Sequence, residues 1–289
     1  MSVAKQFKKR SQFKEIWRRF RKNKTAMVGL IVICLLILMS IFANLIVPYD
    51  SVINMHASEK YLAPNAQHIF GTDDMGRDYF ARIVYGGRAS LSIGFLCVGV
   101  ALVLGMLLGA SAAYFSGVVD SIIMRIMDTI SCIPSILLAL VIVASLGPGL
   151  VNMIIAVTIS TIPAFTRIIR SVILPITGQD FIEAARACGT KNSRIILRHI
   201  LPNAIGPIIV QATTAVAQLI IAAASLSFIG MGIQPPAPEW GAMLSVARNY
   251  ITMYPHMIIF PGVFIVLAAL SLNLLGDGLR DALDPRLKN

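Results

Sequence analysis

Residues 89–119 read ASLSIGFLCVGVALVLGMLLGASAAYFSGVV, 31 residues without one Asp, Glu, Lys or Arg. A helix rising about 1.5 Å per residue needs about 20 apolar residues to cross a bilayer core, and this run exceeds that. Its apolar residues do not alternate with period two, as those of a barrel strand would. In hydrocarbon a helix is the remaining way for such a segment to satisfy its backbone polar groups. Four further stretches lack those charges: 25–49, 129–166, 204–238 and 249–276. The run 129–166 is interrupted by Leu146-Gly147-Pro148-Gly149 and holds most of two spans. Six transmembrane helices are therefore predicted, over 25–47, 90–115, 121–146, 149–169, 204–230 and 256–276, in an all-α integral membrane protein. Composition agrees: the 289 residues are 56% hydrophobic and 13% charged, against roughly 25% charged in an ordinary globular domain.

The first span is longer than the apolar region of a signal peptide, and no small-x-small cleavage pattern precedes Pro48, so it reads as an uncleaved anchor. Ten Lys and Arg lie within residues 5–24, which places the N-terminus in the cytoplasm by the positive-inside rule. Alternating the spans from there leaves 20 basic residues inside and five (Lys60, Arg77, Arg82, Arg88, Arg248) outside. The net charge of +11 is thus mostly topological, set beside anionic membrane lipid. The basic tail lacks the interleaved aromatic residues of a stacking platform, so nucleic acid is excluded as a partner. The order that follows is a basic cytoplasmic tail (1–24), an anchor helix (25–47), an external segment (48–88), a five-helix domain (89–278) with a cytoplasmic loop over 170–203, and a cytoplasmic C-terminus (279–289). Cys34, Cys97, Cys132 and Cys188 suggest neither a disulfide nor a spaced metal site.

Within the cytoplasmic loop, Thr177 followed by Asp180 has capping-box spacing and predicts a helix from about 178. Gly189 suits the left-handed position that ends it. A second short helix from about 191 is predicted to run to Pro202, which initiates the fifth span. Ala184 and Ala185 present almost no side chain, so another protein's surface can approach the backbone, and Glu183 offers one anionic anchor. Lys191, Arg194 and Arg198 share a face, fit for lipid phosphates or an acidic partner. On these grounds a docking element and an ordinary linker stand equal.

Glu183-Ala184-Ala185, three residues, Gly189, then Leu201-Pro202 resemble the EAA loop of bacterial ABC importer permeases, EAA-x3-G-x9-I-x-L-P, with His199 where isoleucine is usual. Three more stretches resemble the peptide and nickel importer subunits of that family, in particular the second, C-type permease. They are Gly71-Thr72-Asp73-Asp74-Met75-Gly76-Arg77-Asp78 with Arg88-Ala89-Ser90-Leu91, Gly230 to Pro236 with Trp240-Gly241, and Asn273 to Asp281 with Asp284-Pro285-Arg286. The resemblance implies a type I importer permease fold with a methionine-importer-like core. It implies that Glu183, Ala184, Ala185, Gly189, Leu201 and Pro202 couple this chain to ATPase subunits. It also implies a homologous permease partner, two ABC ATPases carrying ATP and Mg, and a substrate-binding protein or lipoprotein. Peptides, nickel chelates, glutathione and other small solutes are the cargoes of such systems.

Other motifs have plainer readings. Asp73, Asp74 and Asp78 have the oxygen chemistry of a hard-cation site, but Arg77 and Arg82 oppose that, and a salt-bridged loop is the expectation. Arg125 and Asp128 lie three residues apart near the inner end of the third span, as ionisable residues with a functional role often do, and that spacing predicts a mutual ion pair. Gly105 and Gly109 form a small-xxx-small pair for close helix packing, and Pro134 and Pro163 are expected to kink their spans. His56, His68 and His256 lack ligand spacing, and no catalytic residue, cofactor site or metal site is predicted. No Gly-x4-Gly-Lys-Ser/Thr phosphate loop occurs, so ATP hydrolysis by that route must come from elsewhere. An ion-gradient-driven transporter or channel would place more ionisable or broken-helix chemistry at the midplane. An intramembrane enzyme would need a Ser–His pair, an Asp dyad or a metal motif.

Overall fold

The computed structural model describes residues 12–283, so the predicted tail residues Lys5, Lys8, Lys9 and Arg10, and the Asp284-Pro285-Arg286 motif, lie outside the described residues. Ten principal helices follow one another: α1 Gln12–Lys22, α2 Lys24–Ile41, α3 Tyr79–Phe115, α4 Gly117–Ser131, α5 Ser135–Leu146, α6 Leu150–Thr177, α7 Asp180–Ala187, α8 Asn192–Phe228, α9 Trp240–Ala247 and α10 His256–Leu283. Short helical turns at Ala43–Ile46, Asp50–Ile53 and Ala57–Glu59 lie between α2 and α3. Five helices (α2, α3, α6, α8, α10) are long and apolar enough to cross a membrane, and the α4–α5 pair makes a sixth if its two parts are counted together.

The elements start and stop where their chemistry dictates. α3 begins eleven residues before the predicted start of 90, because the Asp78 carboxylate accepts the Ala81 N–H at 2.7 Å and caps the helix. Arg82 and Arg88 had cut the charge-free run short, although at about 55 Å a 37-residue helix outlasts the roughly 30 Å apolar core. The third span is not one rod: α4 and α5 are bent by 78° around Pro134, which donates no backbone hydrogen bond. α6, by contrast, runs unbroken through Pro163.

α3 packs along α6 by way of the predicted glycine pair. A Cβ on Gly105 would meet Phe165 Cβ at 2.7 Å, and one on Gly109 would meet the Thr166 carbonyl oxygen at 2.6 Å. α2 packs on α10 through Gly29 against Ser271, and α8 sits between α6 and α10. Lipid tails are as apolar as the side chains, so such contacts rest on close van der Waals fit.

Gly29→Val is therefore expected to lower the thermal unfolding temperature in detergent, at a cost of roughly 1–3 kcal/mol, because its Cβ would sit 2.7 Å from the Ser271 carbonyl oxygen and 2.9 Å from Leu274 Cβ. Gly99→Ala, with nothing within 4 Å of the added Cβ, should leave stability unchanged or raise it by up to about 1 kcal/mol. Equal losses in both would show that α2 and α10 do not depend on this approach.

Candidate functional site: the exposed helix between α6 and α8

α7 is joined to α6 by two residues, and its side chains divide cleanly. Ile182 is fully buried, while Glu183 and Ala184 are exposed and Ala185 is half-buried. The helix ends in a Schellman arrangement: the Gly189 N–H donates to the Arg186 carbonyl at 2.9 Å and the Thr190 N–H to the Ala185 carbonyl at 3.1 Å. Gly189 has φ +72°, and no heavy atom lies within 4 Å of a Cβ built there, so the left-handed backbone and not lack of space demands glycine. Two contacts tie the unit to α3: Tyr114 donates to Asn192 Oδ1 at 2.8 Å, and the Arg186 guanidinium lies 4.8 Å from the Tyr114 ring centroid.

Two local expectations are corrected. Thr177 does not cap α7; its hydroxyl donates back to the Leu174 carbonyl at 2.8 Å, and Gln179 precedes the helix without a side-chain cap. α6 runs to Thr177, so that residue's hydroxyl serves the last turn of the incoming helix. Pro202 does not initiate the fifth span either. Chain from Asn192 continues through a π-helical turn, Ile196–Ile200, directly into the span. The Leu201 N–H reaches back five residues to the Ile196 carbonyl, and the exposed Pro202 follows within the first turn. Leu201 is half-buried, and Ile195 and Ile200 are fully buried. Lys191, Arg194 and Arg198 are exposed, as is Leu197 at 66%.

The Arg125–Asp128 pair is also corrected. Asp128 accepts from Arg167 on α6 at 3.2 Å, and the same guanidinium donates to Ser131 Oγ at 2.8 Å. Arg125 is exposed on the outer side of α4. A stronger pair escaped notice: Arg170 holds Asp120 through two bonds of 2.5 and 2.6 Å, the bidentate geometry of a guanidinium fork. Both pairs cross between helices, so local spacing gave no sign of them. A cleft of about 470 Å³ opens between α6, α8 and α10, lined by Ile168, Val172, Gln211, Thr214, Asp277 and Arg280 among others. Ile168 and Val172 lie within ten residues of the end of α6, which puts the cleft at the α7 end of the molecule.

At the opposite end the segment predicted to be external, residues 48–88, forms a salt-bridged plate, as expected. Asp73 accepts the Arg77 Nε at 2.7 Å and the backbone N–H groups of Met75 and Arg77 at 2.9 Å, with Arg82 3.4 Å away. Asp78, besides capping α3, meets His68 Nδ1 at 2.8 Å. Arg82 also donates to the Val52 and Pro236 carbonyls, which fastens the loop before α9 to this plate. Glu239, 1% exposed, was missed as a fixing point. Its two oxygens accept the Gly241 and Ala242 N–H groups at 2.8 Å, and Ser90 donates to it at 3.0 Å. Glutamate is seldom an N-cap, so the sequence offered only the adjacent Trp240-Gly241.

The pattern of the family described as "Binding-protein-dependent transport system inner membrane component" matches residues 101–289, about two thirds of the sequence. The chain belongs to this family. It is a multi-pass membrane subunit of an ABC importer, and ATP hydrolysis resides in separate subunits. Such permeases work with a partner permease, ATPases and a substrate-binding protein. Residues 11–64 match the "N-terminal TM domain of oligopeptide transport permease C". A dipeptide transport system permease, DppC of Alkalihalophilus pseudofirmus, is 49% identical over 96% of this chain and 91% of its own. A glutathione transport system permease, GsiD of Escherichia coli, is 46% identical over 100% and 95%. The MetNI methionine ABC transporter in an inward facing conformation shares the fold at TM-score 0.57 and 22% identity, over 70% of this chain and 96% of that one. An amino acid ABC transporter with histidines does so at 0.54 and 19%, over 69% and 92%. The importer permease therefore has the type I fold. The rival readings, an ion-gradient-driven transporter or channel and an intramembrane enzyme, give way to the family assignment.

One carboxylate of the salt-bridged plate is poorly served. Asp74 Oδ1 is buried without a hydrogen-bond partner among the described residues, 3.7 Å from Arg77 Nη2. Burial holds this carboxyl above its ordinary range; the neighbouring Asp73 charge adds to the shift and Arg77 opposes it. A carboxyl raised in the fold stabilises it in acid, and that contribution is lost as pH rises through the folded value. Asp74→Asn should therefore raise the unfolding temperature at about pH 7.5, and the advantage should fade as pH falls toward roughly 4. A variant less stable than the parent at neutral pH would show that the ionised carboxylate is a favourable partner of Arg77.

Proposed function

We propose that this permease moves small peptides across the cytoplasmic membrane, with both termini in the cytoplasm, and that α7 is the element an ATPase subunit grips. The observation that carries the second part is the division of α7. Ile182 is sunk in the core and the helix is closed by Gly189, while Glu183 and Ala184 are turned outward. A small-residue helix face lets another backbone approach closely, and a buried isoleucine passes the partner's displacement to the spans. Glu183, Ala184, Ala185 and Gly189 form the coupling surface on this reading, with Leu201 and Pro202 where the unit meets the span. Peptide cargo is supported by the relatives' names, dipeptide and glutathione, the latter itself a tripeptide; nickel has no such support.

Two ATPase subunits with ATP and Mg would dock at the α7 end, and a homologous permease would complete the pathway as a heterodimer. The cleft between α6, α8 and α10 is the surface on which that partner would close it. A binding protein or lipoprotein would deliver cargo at the plate formed by residues 59–82 and 236–241. ATP can drive transport only by binding the inward- and outward-facing packings unequally, and α7 is where that inequality would enter this subunit.

Glu183→Arg and Gly189→Pro are expected to abolish peptide uptake in a transport assay and to weaken co-purification of the ATPase, with membrane insertion unchanged. Gly189→Asn, which tolerates the left-handed region, should keep most of the activity. Normal uptake in both of the first two variants would sink the coupling assignment. Intact coupling with no uptake of any di- or tripeptide would sink the cargo.

A further inference from the structure

The C-terminus of α2 and the early turns of α3 enclose a groove that neither transport nor coupling uses. It has a volume of about 530 Å³ and is lined by Ile37, Ile41, Leu91, Ser92 and Phe95, with Arg88 at one end. Its size falls within the roughly 300–1,000 Å³ of small-molecule sites. The floor is closed by Gly87, which lies against Ser40 and the indole of the fully buried Trp240. Among the described residues, no other helix lines the groove.

Arg88 is held in place. Its Nε donates to the Ser40 carbonyl at 2.6 Å, its Nη2 to the Ile41 carbonyl at 2.9 Å, and its guanidinium lies 5.0 Å from the Tyr85 ring centroid. Those carbonyls end α2, where the helix dipole favours a cation. A guanidinium has five N–H donors, and these bonds employ two. The side chain is exposed, and its remaining donors stand at the first residue before the charge-free run 89–119. Tyr114, at the far end of α3, bonds to Asn192 beside α7, so Arg88 marks the opposite margin of the apolar core. Leu91 and Phe95 lie one and two turns deeper along α3, about 10 Å of helix in all, and Ile41 and Ile37 match them on α2.

A fixed guanidinium at the level of the lipid phosphates, above an apolar groove descending into the hydrocarbon, is complementary to one kind of molecule. We infer that the groove between α2 and α3 binds a phospholipid of the outer leaflet, its phosphate on Arg88 and one acyl chain along Ile37, Ile41, Leu91 and Phe95. Arginine suits this because its planar fork meets phosphate oxygens two at a time.

The test uses the assembled importer in nanodiscs containing phosphatidylglycerol with a photoactivatable group in its acyl chain, and cross-linked residues are mapped by peptide mass spectrometry. Adducts should concentrate at residues 37–41 and 91–95. They should fall about tenfold in Arg88→Gln, the equivalent of one charge-assisted hydrogen bond of roughly 1.4 kcal/mol. Ser92→Phe, which fills the groove and leaves Arg88 and its bonds in place, should reduce them as much. Diacylglycerol carrying the same group should label the wild type weakly. Equal labelling by diacylglycerol, labelling spread evenly over all lipid-facing helices, or a groove that no lipid reaches because the partner permease covers it would each overturn the assignment.

Discussion

Inside a bilayer no water is available to a stray N–H or carbonyl, so each place where the chain leaves a helix must be served by its own side chains. Several helix ends in the structure are served in this way. Asn23 accepts the Ala26 N–H as α2 begins, Arg88 donates to the carbonyls where α2 ends, and Asp78 caps α3. Between α5 and α6 the amide of Asn152 donates to the carbonyls of Leu146 and Gly147, each at 3.0 Å, and Glu239 closes the first turn of α9. These polar residues are few, and nearly all sit at helix ends. The low charge content of the chain reflects the same economy.

Helix approach is the second consequence. Where the solvent is itself apolar, helices gain by fitting closely. Gly105 and Gly109 bring α3 within reach of the α6 backbone, and Gly29 does the same for α2 and α10. The pairs Asp120–Arg170 and Asp128–Arg167 then fasten α4 to α6. Together α3, α4 and α6 make a block whose α7 end carries Tyr114, and through it the contacts to Asn192 and Arg186.

Much of this was legible in the linear sequence, because span number, the glycine pair and the Gly189 turn depend on residue type and near neighbours alone. What was not legible depends on distant partners. Spacing of three suggested Arg125 with Asp128, yet Arg167, 39 positions away, holds Asp128. Arg82 and Arg88 looked like loop charges, but their partners are the backbone of α2, Val52 and Pro236 and the carboxylate of Asp73, so α3 starts before them. Pro134 and Pro163 carry the same local signal. Only Pro134 lies at a break, since Pro163 is buried within the packed length of α6.

On the proposed reading, these facts also say where movement belongs. α7 is joined to α6 by two residues, anchored by Ile182 and leaned upon by Tyr114 of α3, so a displacement imposed on it is not absorbed by a loose loop. Beyond Gly189, after two residues, the chain becomes helical at Asn192 and stays so to Phe228, with a π turn at Ile196–Ile200. Such turns are wider than the α-helix and gather at functional sites. A second irregularity is the bend at Pro134, at the foot of α4, whose ion pairs tie it to α6. A push on α7 thus meets stiff helices in three directions and two places where the backbone is already off its regular path. The packing of α8 against α6 and α10, which bounds the cleft, is what a change at the π turn would alter first.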